Sequence, residues 1–153
     1  MDKQIVLFTD GSEASDRATK LAVELAEFYK TKINAFFIID SGWGSLLGDE
    51  WINTSETRMR FYKWFEGELE TFAAEALKKV IAKAQEKGVQ TQTQILIGPT
   101  EKLIIKNSQE NHTSCVVLPN PRATSPGAAG GLRFNISSLV KKISCPILIG
   151  PAS

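Results

Sequence analysis

Short runs of apolar residues alternate with helical patterns along the whole chain. Five such runs predict strands; they are Gln4–Asp10, Ile33–Asp40, Val89–Gly98, Ser114–Asn120 and Cys145–Gly150. The patterns of the first two predict strands buried on both faces. Because strand and helix alternate, we predict an α/β fold with an open five-stranded parallel sheet and helices on both faces. The first strands of such a sheet are central, which gives the strand order 3-2-1-4-5.

Two of the predicted helices carry a long apolar stripe with the period of a helix, so each is expected to bury one face. The first covers residues 12–30, and its stripe comprises Ala18, Leu21, Ala22, Leu25, Ala26 and Tyr29. The second covers residues 56–87, and its stripe comprises Phe61, Phe65, Leu69, Phe72, Ala76, Val80 and Ala84. Shorter helices are predicted within residues 99–112 and 136–143.

The two strands at the edges of this sheet have different patterns. Gln90, Gln92 and Gln94 alternate with other residues, which is typical of an edge strand with one wet face. The last strand is apolar on both faces and uncharged, and such an edge pairs readily with another chain. We therefore predict a two-fold homodimer through Cys145, Pro146, Ile147, Leu148 and Ile149. The alternative is a monomer whose own C-terminal residues cover this edge.

Composition excludes several classes of protein. The chain contains 42% hydrophobic and 23% charged residues, which is ordinary for a globular protein. Its 153 residues fit one domain, residues 1–153. A net charge of +1 gives no general attraction to nucleic acid or to anionic membranes. We expect a cytoplasmic protein, because neither a leader pattern nor a run of about 18 apolar residues occurs.

The cysteine and histidine content argues against a metal site. One histidine and two cysteines without ligand spacing cannot complete a zinc site. In the cytoplasm we expect Cys115 and Cys145 to be reduced and buried. They begin neighbouring strands, so a disulfide between them is the alternative.

The candidate site lies at the carboxyl ends of the strands, where sheets of this type bind ligands. Thr9, Asp10 and Gly11 follow the first strand there. Ile39 closes the second strand, and Leu118 with Pro119 closes the fourth. Two interpretations of Asp10 are open. Its carboxylate caps the following helix, with Glu13 reaching back as in a capping box, or it accepts hydrogen bonds from a ribose or an adenine edge.

Three segments resemble the universal stress proteins. They are "IVLFTDGSEASDRATKLAVELA", "ILIGPTEKLIIKNSQENHTSCVVLP" and "VKKISCPILIG", in the order that the family has. The resemblance covers the chain except about residues 41–61. It implies a Rossmann-like fold similar to that of adenine-nucleotide hydrolases, and dimers built through the last strand. It also implies that the chain falls into one of the family's two classes, the members that bind ATP or the members that do not.

The ATP-binding members carry the pattern Gly-x2-Gly-x9-Gly-Ser/Thr after the fourth strand. Laid on this chain, the pattern falls on Pro119, Arg122, Leu132 and Arg133, and no glycine is kept. Proline at 119 and 121 donates no N–H, and side chains hold a phosphate away from the backbone. The glycine motif is therefore degenerate.

Two hypotheses of function follow. The first is a dimeric regulatory or interaction protein of the stress response that is no enzyme and holds no cofactor. The second is an atypical sensor of ATP or AMP, with Asp10 and Ile39 at the nucleoside and Arg122 with Arg133 at the phosphates. Under the first hypothesis, these arginines are only solvated residues of a surface loop.

A weak ATPase or a self-phosphorylating protein is the third hypothesis of function. The sequence shows no base positioned for either reaction, so we assign no catalytic residue.

The region around the second loop is rich in tryptophan, with Trp43, Trp51 and Trp64. These side chains either pack the second loop against its helix or form a surface for a protein partner.

Overall fold

The computed structural model describes residues 3–40, 55–109, 112–121 and 132–153. Its five strands are parallel and lie in the order β3-β2-β1-β4-β5, so the predicted fold class and strand order are confirmed. In chain order the elements are β1 (Gln4–Thr9), α1 (Glu13–Tyr29), β2 (Lys32–Asp40), α2 (Ser55–Glu86), β3 (Thr91–Gly98), α3 (Thr100–Ser108), β4 (Thr113–Leu118), α4 (Ile136–Val140) and β5 (Ile147–Ile149).

The sheet has a separate hydrophobic core on each face. One face of β1 points Ile5 and Leu7 toward α1 and α2. The other face points Val6 and Phe8 toward α3 and α4, where Phe8 stacks on Phe36 with ring centroids 5.5 Å apart. Because both faces are covered, β1 is buried along its whole length, as its unbroken apolar run predicts.

Among the stripe residues whose side chains the structure describes, two are exposed, which corrects the expectation of burial. Tyr29 is 68% exposed because α1 ends there, and its ring packs edge-on with that of Phe28. Phe72 is 47% exposed although its ring lies over Gly11 in the turn after β1. One side of its ring still contacts Phe37, with centroids 6.0 Å apart.

The last helix and the last strand are shorter than predicted. The helix ends at Val140 instead of continuing to residue 143, and the strand keeps only three residues. Pro146 contributes to the shortening of the strand, because it has no N–H to donate to β4. After the strand, Arg17 of α1 donates hydrogen bonds to the carbonyls of Pro151 and Ala152, at 3.1 and 2.7 Å.

The two cysteines are free and only partly buried. Cys115 packs with the core under α1 and α2, and Cys145 with the core on the other face, so their side chains lie on opposite faces of the sheet. Burial raises the pKa of both thiols, and the neighbouring Cys145 raises the pKa of Cys115 further.

The described ranges contain neither a candidate metal centre nor a candidate membrane span. No group of three or more histidine, cysteine, aspartate or glutamate side chains there could hold a metal ion. None of the described helices is long and apolar enough to cross a membrane.

Candidate functional site

The turn after β1 is tight and depends on a glycine. Gly11 has φ +77°, a conformation that side chains disfavour. A Cβ at this position would lie 2.8 Å from two ring atoms of Phe72. The ring therefore closes directly over the turn, and α2 reaches the turn only because residue 11 has no side chain.

Asp10 is the buried acid of this turn and is 5% exposed. One carboxylate oxygen, Oδ1, accepts hydrogen bonds from the Ser12 N–H at 2.9 Å and from the Ser15 hydroxyl at 2.6 Å. The other oxygen, Oδ2, accepts one from the Leu132 N–H at 3.1 Å. Ser15 Oγ in turn accepts the Asp10 N–H at 2.9 Å. Donors from the chain itself thus occupy both carboxylate oxygens.

The helix cap differs from the predicted one. Ser12 is the N-cap of α1, and its hydroxyl accepts the Ser15 N–H at 3.2 Å. Asp10 instead accepts the N–H of the cap residue, and Glu13 is exposed in the first helical turn. The sequence did contain a signal for this arrangement, because serine is among the best N-cap residues.

The connection after β4 begins and ends in buried residues. Leu118 is fully buried, Pro119 is buried beside it, and the Asn120 side chain donates to the Gly150 carbonyl at 3.3 Å. At the other end Leu132 is 3% exposed in the core of α3 and α4. Its N–H, at the third position of the family's glycine pattern, points to Asp10.

A second carboxylate at this end of the sheet is also engaged. Asp40 follows Ile39 on β2, and its Oδ2 accepts the Thr100 hydroxyl at 2.5 Å, which links β2 to the start of α3. Ile39 itself is fully buried in the core under α2. A ligand at this strand end would therefore meet its main chain and not its side chain.

The cavity beside the turn is small. It lies between α1 and α2, with Thr9, Gly11, Thr19, Phe72 and Lys79 among its lining residues, and has a volume of about 30 Å³. That volume holds one water molecule and no nucleoside.

The structure brings only part of the predicted site together. Thr9, Asp10 and Gly11 form one turn, and Leu132, which was predicted only as a position of the glycine pattern, joins them through its N–H. Arg133 is exposed next to Leu132. Arg122 lies outside the described residues, as do Trp43 and Trp51. Sequence reasoning missed Ser15, whose hydroxyl completes the turn.

The comparisons with known proteins decide the family. The model of the universal stress protein family matches residues 1–151. The chain belongs to the universal stress protein family. A universal stress protein of Methanocaldococcus jannaschii is 28% identical to it, over 96% of this chain and 81% of the relative.

Solved universal stress proteins share the fold. One from Burkholderia pseudomallei superposes with a TM-score of 0.69 at 15% identity, covering 97% of this chain and 96% of the other. One from Arabidopsis thaliana, solved with AMP bound, has a TM-score of 0.62 at 15% identity, with 96% and 90% covered. Recognition from the three sequence segments is thereby confirmed.

Proposed function

We propose that this universal stress protein is a regulatory or interaction protein of the stress response, without an enzymatic step and without ATP at the family's usual site. It acts in the cytoplasm as one domain, residues 1–153, and as a homodimer. The observation that carries the proposal is the Asp10 carboxylate, which is buried and bound on both oxygens by the chain's own donors.

A nucleoside would find little of Asp10 to bind. The chain's three donors fill three of the about four acceptor positions of the carboxylate, and the residue is 5% exposed. A ligand that took the place of the Leu132 N–H would leave that buried donor unsatisfied, at a cost of about 1–3 kcal/mol. Pro119 and Pro121 add no N–H that could bind a phosphate in return.

Calorimetric titration with ATP and with AMP tests this proposal, with GTP as a matched ligand that carries the same phosphates as ATP. We expect no binding heat for any of the three. A dissociation constant in the low micromolar range for ATP or for AMP, without similar binding of GTP, would overturn the proposal.

The homodimer would form through the outer edge of β5. The Pro146 carbonyl accepts from Val116, and the Gly150 N–H donates to Leu118, so the even positions bond to β4. Ile147 and Ile149 then turn their N–H groups outward. Ile149→Pro removes one outward donor and should abolish this contact, whereas Ile149→Val should keep it. Equal masses of the two variants in sedimentation would contradict the β5 contact.

A second candidate function is adenine-nucleotide sensing, which is favoured by the AMP in the Arabidopsis thaliana relative. Here Asp10 and Ile39 hold the nucleoside, and Arg122 with Arg133 binds the phosphates through side chains. The double variant Arg122→Ala, Arg133→Ala should abolish AMP binding, and the control Lys141→Ala should retain it. Binding that survives the double variant would exclude this role of the arginines.

We assign a protein partner to the tryptophan-rich region. Trp64 is the part of it that the structure describes, and it is 60% exposed next to the ring of Phe65. Exposed tryptophan is typical of interface hot spots. Trp64→Ala should remove a cross-linked partner from protein isolated after cross-linking in cells. Identical cross-links in the variant and the wild type would exclude Trp64 as a contact residue.

A further inference from the structure

The outer edge of β3 is a long row of main-chain groups that no described residue pairs with. β3 bonds to β2 through eight residues in one unbroken register. The Ile33 N–H donates to the Gln90 carbonyl at 2.9 Å, so the even positions of this segment bond to β2. The odd positions therefore direct both their N–H and their C=O away from the sheet; they are Thr91, Thr93, Ile95 and Ile97.

Within the described residues, this edge lacks several features that natural proteins use to prevent pairing. Edge strands are commonly short, interrupted by proline or a bulge, or protected by lysine. Residues 88–100 form the longest stretch of the chain without a charged residue, and the proline in it, Pro99, follows the strand. Ile97 is 47% exposed at the end of the strand.

We propose that β3 is an interface and that its partner is β3 of a second copy, paired antiparallel about a two-fold axis at Gln94. In this register Thr91 faces Ile97 and Thr93 faces Ile95, so all the outward groups of both strands are paired. Threonine and isoleucine are both β-branched residues, which are enriched in strands. The pairing would also cover the exposed side of Ile97.

The absence of charge on the strand favours a second copy as its partner. Two copies of an uncharged strand meet without repulsion, and the net charge of +1 on each chain adds little. A charged peptide would find no opposite charge on β3. At the axis Gln94 lies opposite Gln94, where each amide can donate to and accept from the other.

Disulfide trapping tests the register in the folded protein. At the axis the two Gln94 residues form a non-hydrogen-bonded pair with Cα atoms about 4.5 Å apart, which is within the range of a disulfide. Gln94→Cys should therefore give a cross-linked dimer under mild oxidation.

The matched control for this trapping is Gln92→Cys, which is equally exposed on the same face of the strand. Its two copies would lie about 13 Å apart along the strands, because four residues of strand separate them. Equal cross-linking of the two variants, or none in either, would overturn the proposal.

Sedimentation velocity separates this contact from the one proposed for β5. Thr93 is exposed, and Thr93→Pro removes its outward N–H while leaving the bonds to β2 in place. Thr93→Val is the matched control. In the Ile149→Pro background we expect a dimer with Thr93→Val and a monomer with Thr93→Pro. A monomer in the Ile149→Pro protein at every concentration would exclude the β3 contact, whatever the role of β5. Circular dichroism confirms that each variant is folded.

Discussion

The turn after β1 and the connection after β4 lie at the same end of the sheet but are held in different ways. The turn is closed within six residues by the side chains of Asp10, Ser12 and Ser15. The described ends of the connection depend on bonds to other parts of the fold, such as Leu132 to Asp10. One half of the candidate site is thus self-contained, and the other half is positioned by it.

Asp10→Ala should have the largest effect on this arrangement. It removes the acceptor of the Ser12 N–H, the Ser15 hydroxyl and the Leu132 N–H. We expect the free energy of unfolding to fall by about 3 kcal/mol in urea titrations. Asp16→Ala is the control. Its exposed ion pair with Lys83, at 4.0 Å, contributes less than about 1 kcal/mol. Similar losses in both variants would refute the central role of Asp10.

Gly11→Ala should lower the free energy of unfolding by about 2 kcal/mol, because backbone strain and overpacking add at this position. The new Cβ meets the Phe72 ring, and φ +77° strains any residue other than glycine. The control is Gly67→Ala within α2, where no atom lies within 4 Å of the added Cβ. That change should stabilise the protein by about 0.5–1 kcal/mol. A neutral Gly11→Ala would mean that α2 does not press on the turn.

Ser15→Ala should reduce the free energy of unfolding by about 1–2 kcal/mol, because it leaves buried polar groups without a partner. It takes a donor from Asp10 Oδ1 and an acceptor from the Asp10 N–H. Hydrogen exchange of the Asp10 amide should become faster in this variant. Ser137→Ala, in the exposed first turn of α4, should leave both measurements unchanged. Unchanged exchange at Asp10 in Ser15→Ala would remove Ser15 from the turn network.

The smallest effect on stability is expected where the connection after β4 enters α4. Asn135 caps α4, accepting the Ser138 N–H at 3.3 Å in an exposed position. Asn135→Ala should cost about 0.5 kcal/mol by thermal unfolding, and Asn135→Asp should keep the cap. A cost as large as that of Asp10→Ala would show that the connection carries as much of the stability as the turn.

The sequence predicted the strand order because five apolar runs with intervening helices allow few arrangements. It also predicts a candidate site at the strand ends, since strand ends can be read from the same pattern. It could not assign the donors, because the N–H that binds Asp10 belongs to a residue 122 positions away. Phe72 shows the same limit. Helical spacing places it on the apolar stripe, but the spacing does not show that its ring lies over Gly11 and is 47% exposed.

The bond between Asp10 and Leu132 also has a consequence for the order of events during translation. The aspartate leaves the ribosome 122 residues before its partner amide, and Arg17 leaves it 134 and 135 residues before its carbonyl partners. At roughly 5–20 residues per second, Oδ2 of Asp10 lacks its partner amide for about 6 to 24 seconds. The link between the first turn and the connection after β4 thus forms only when residue 132 has been made.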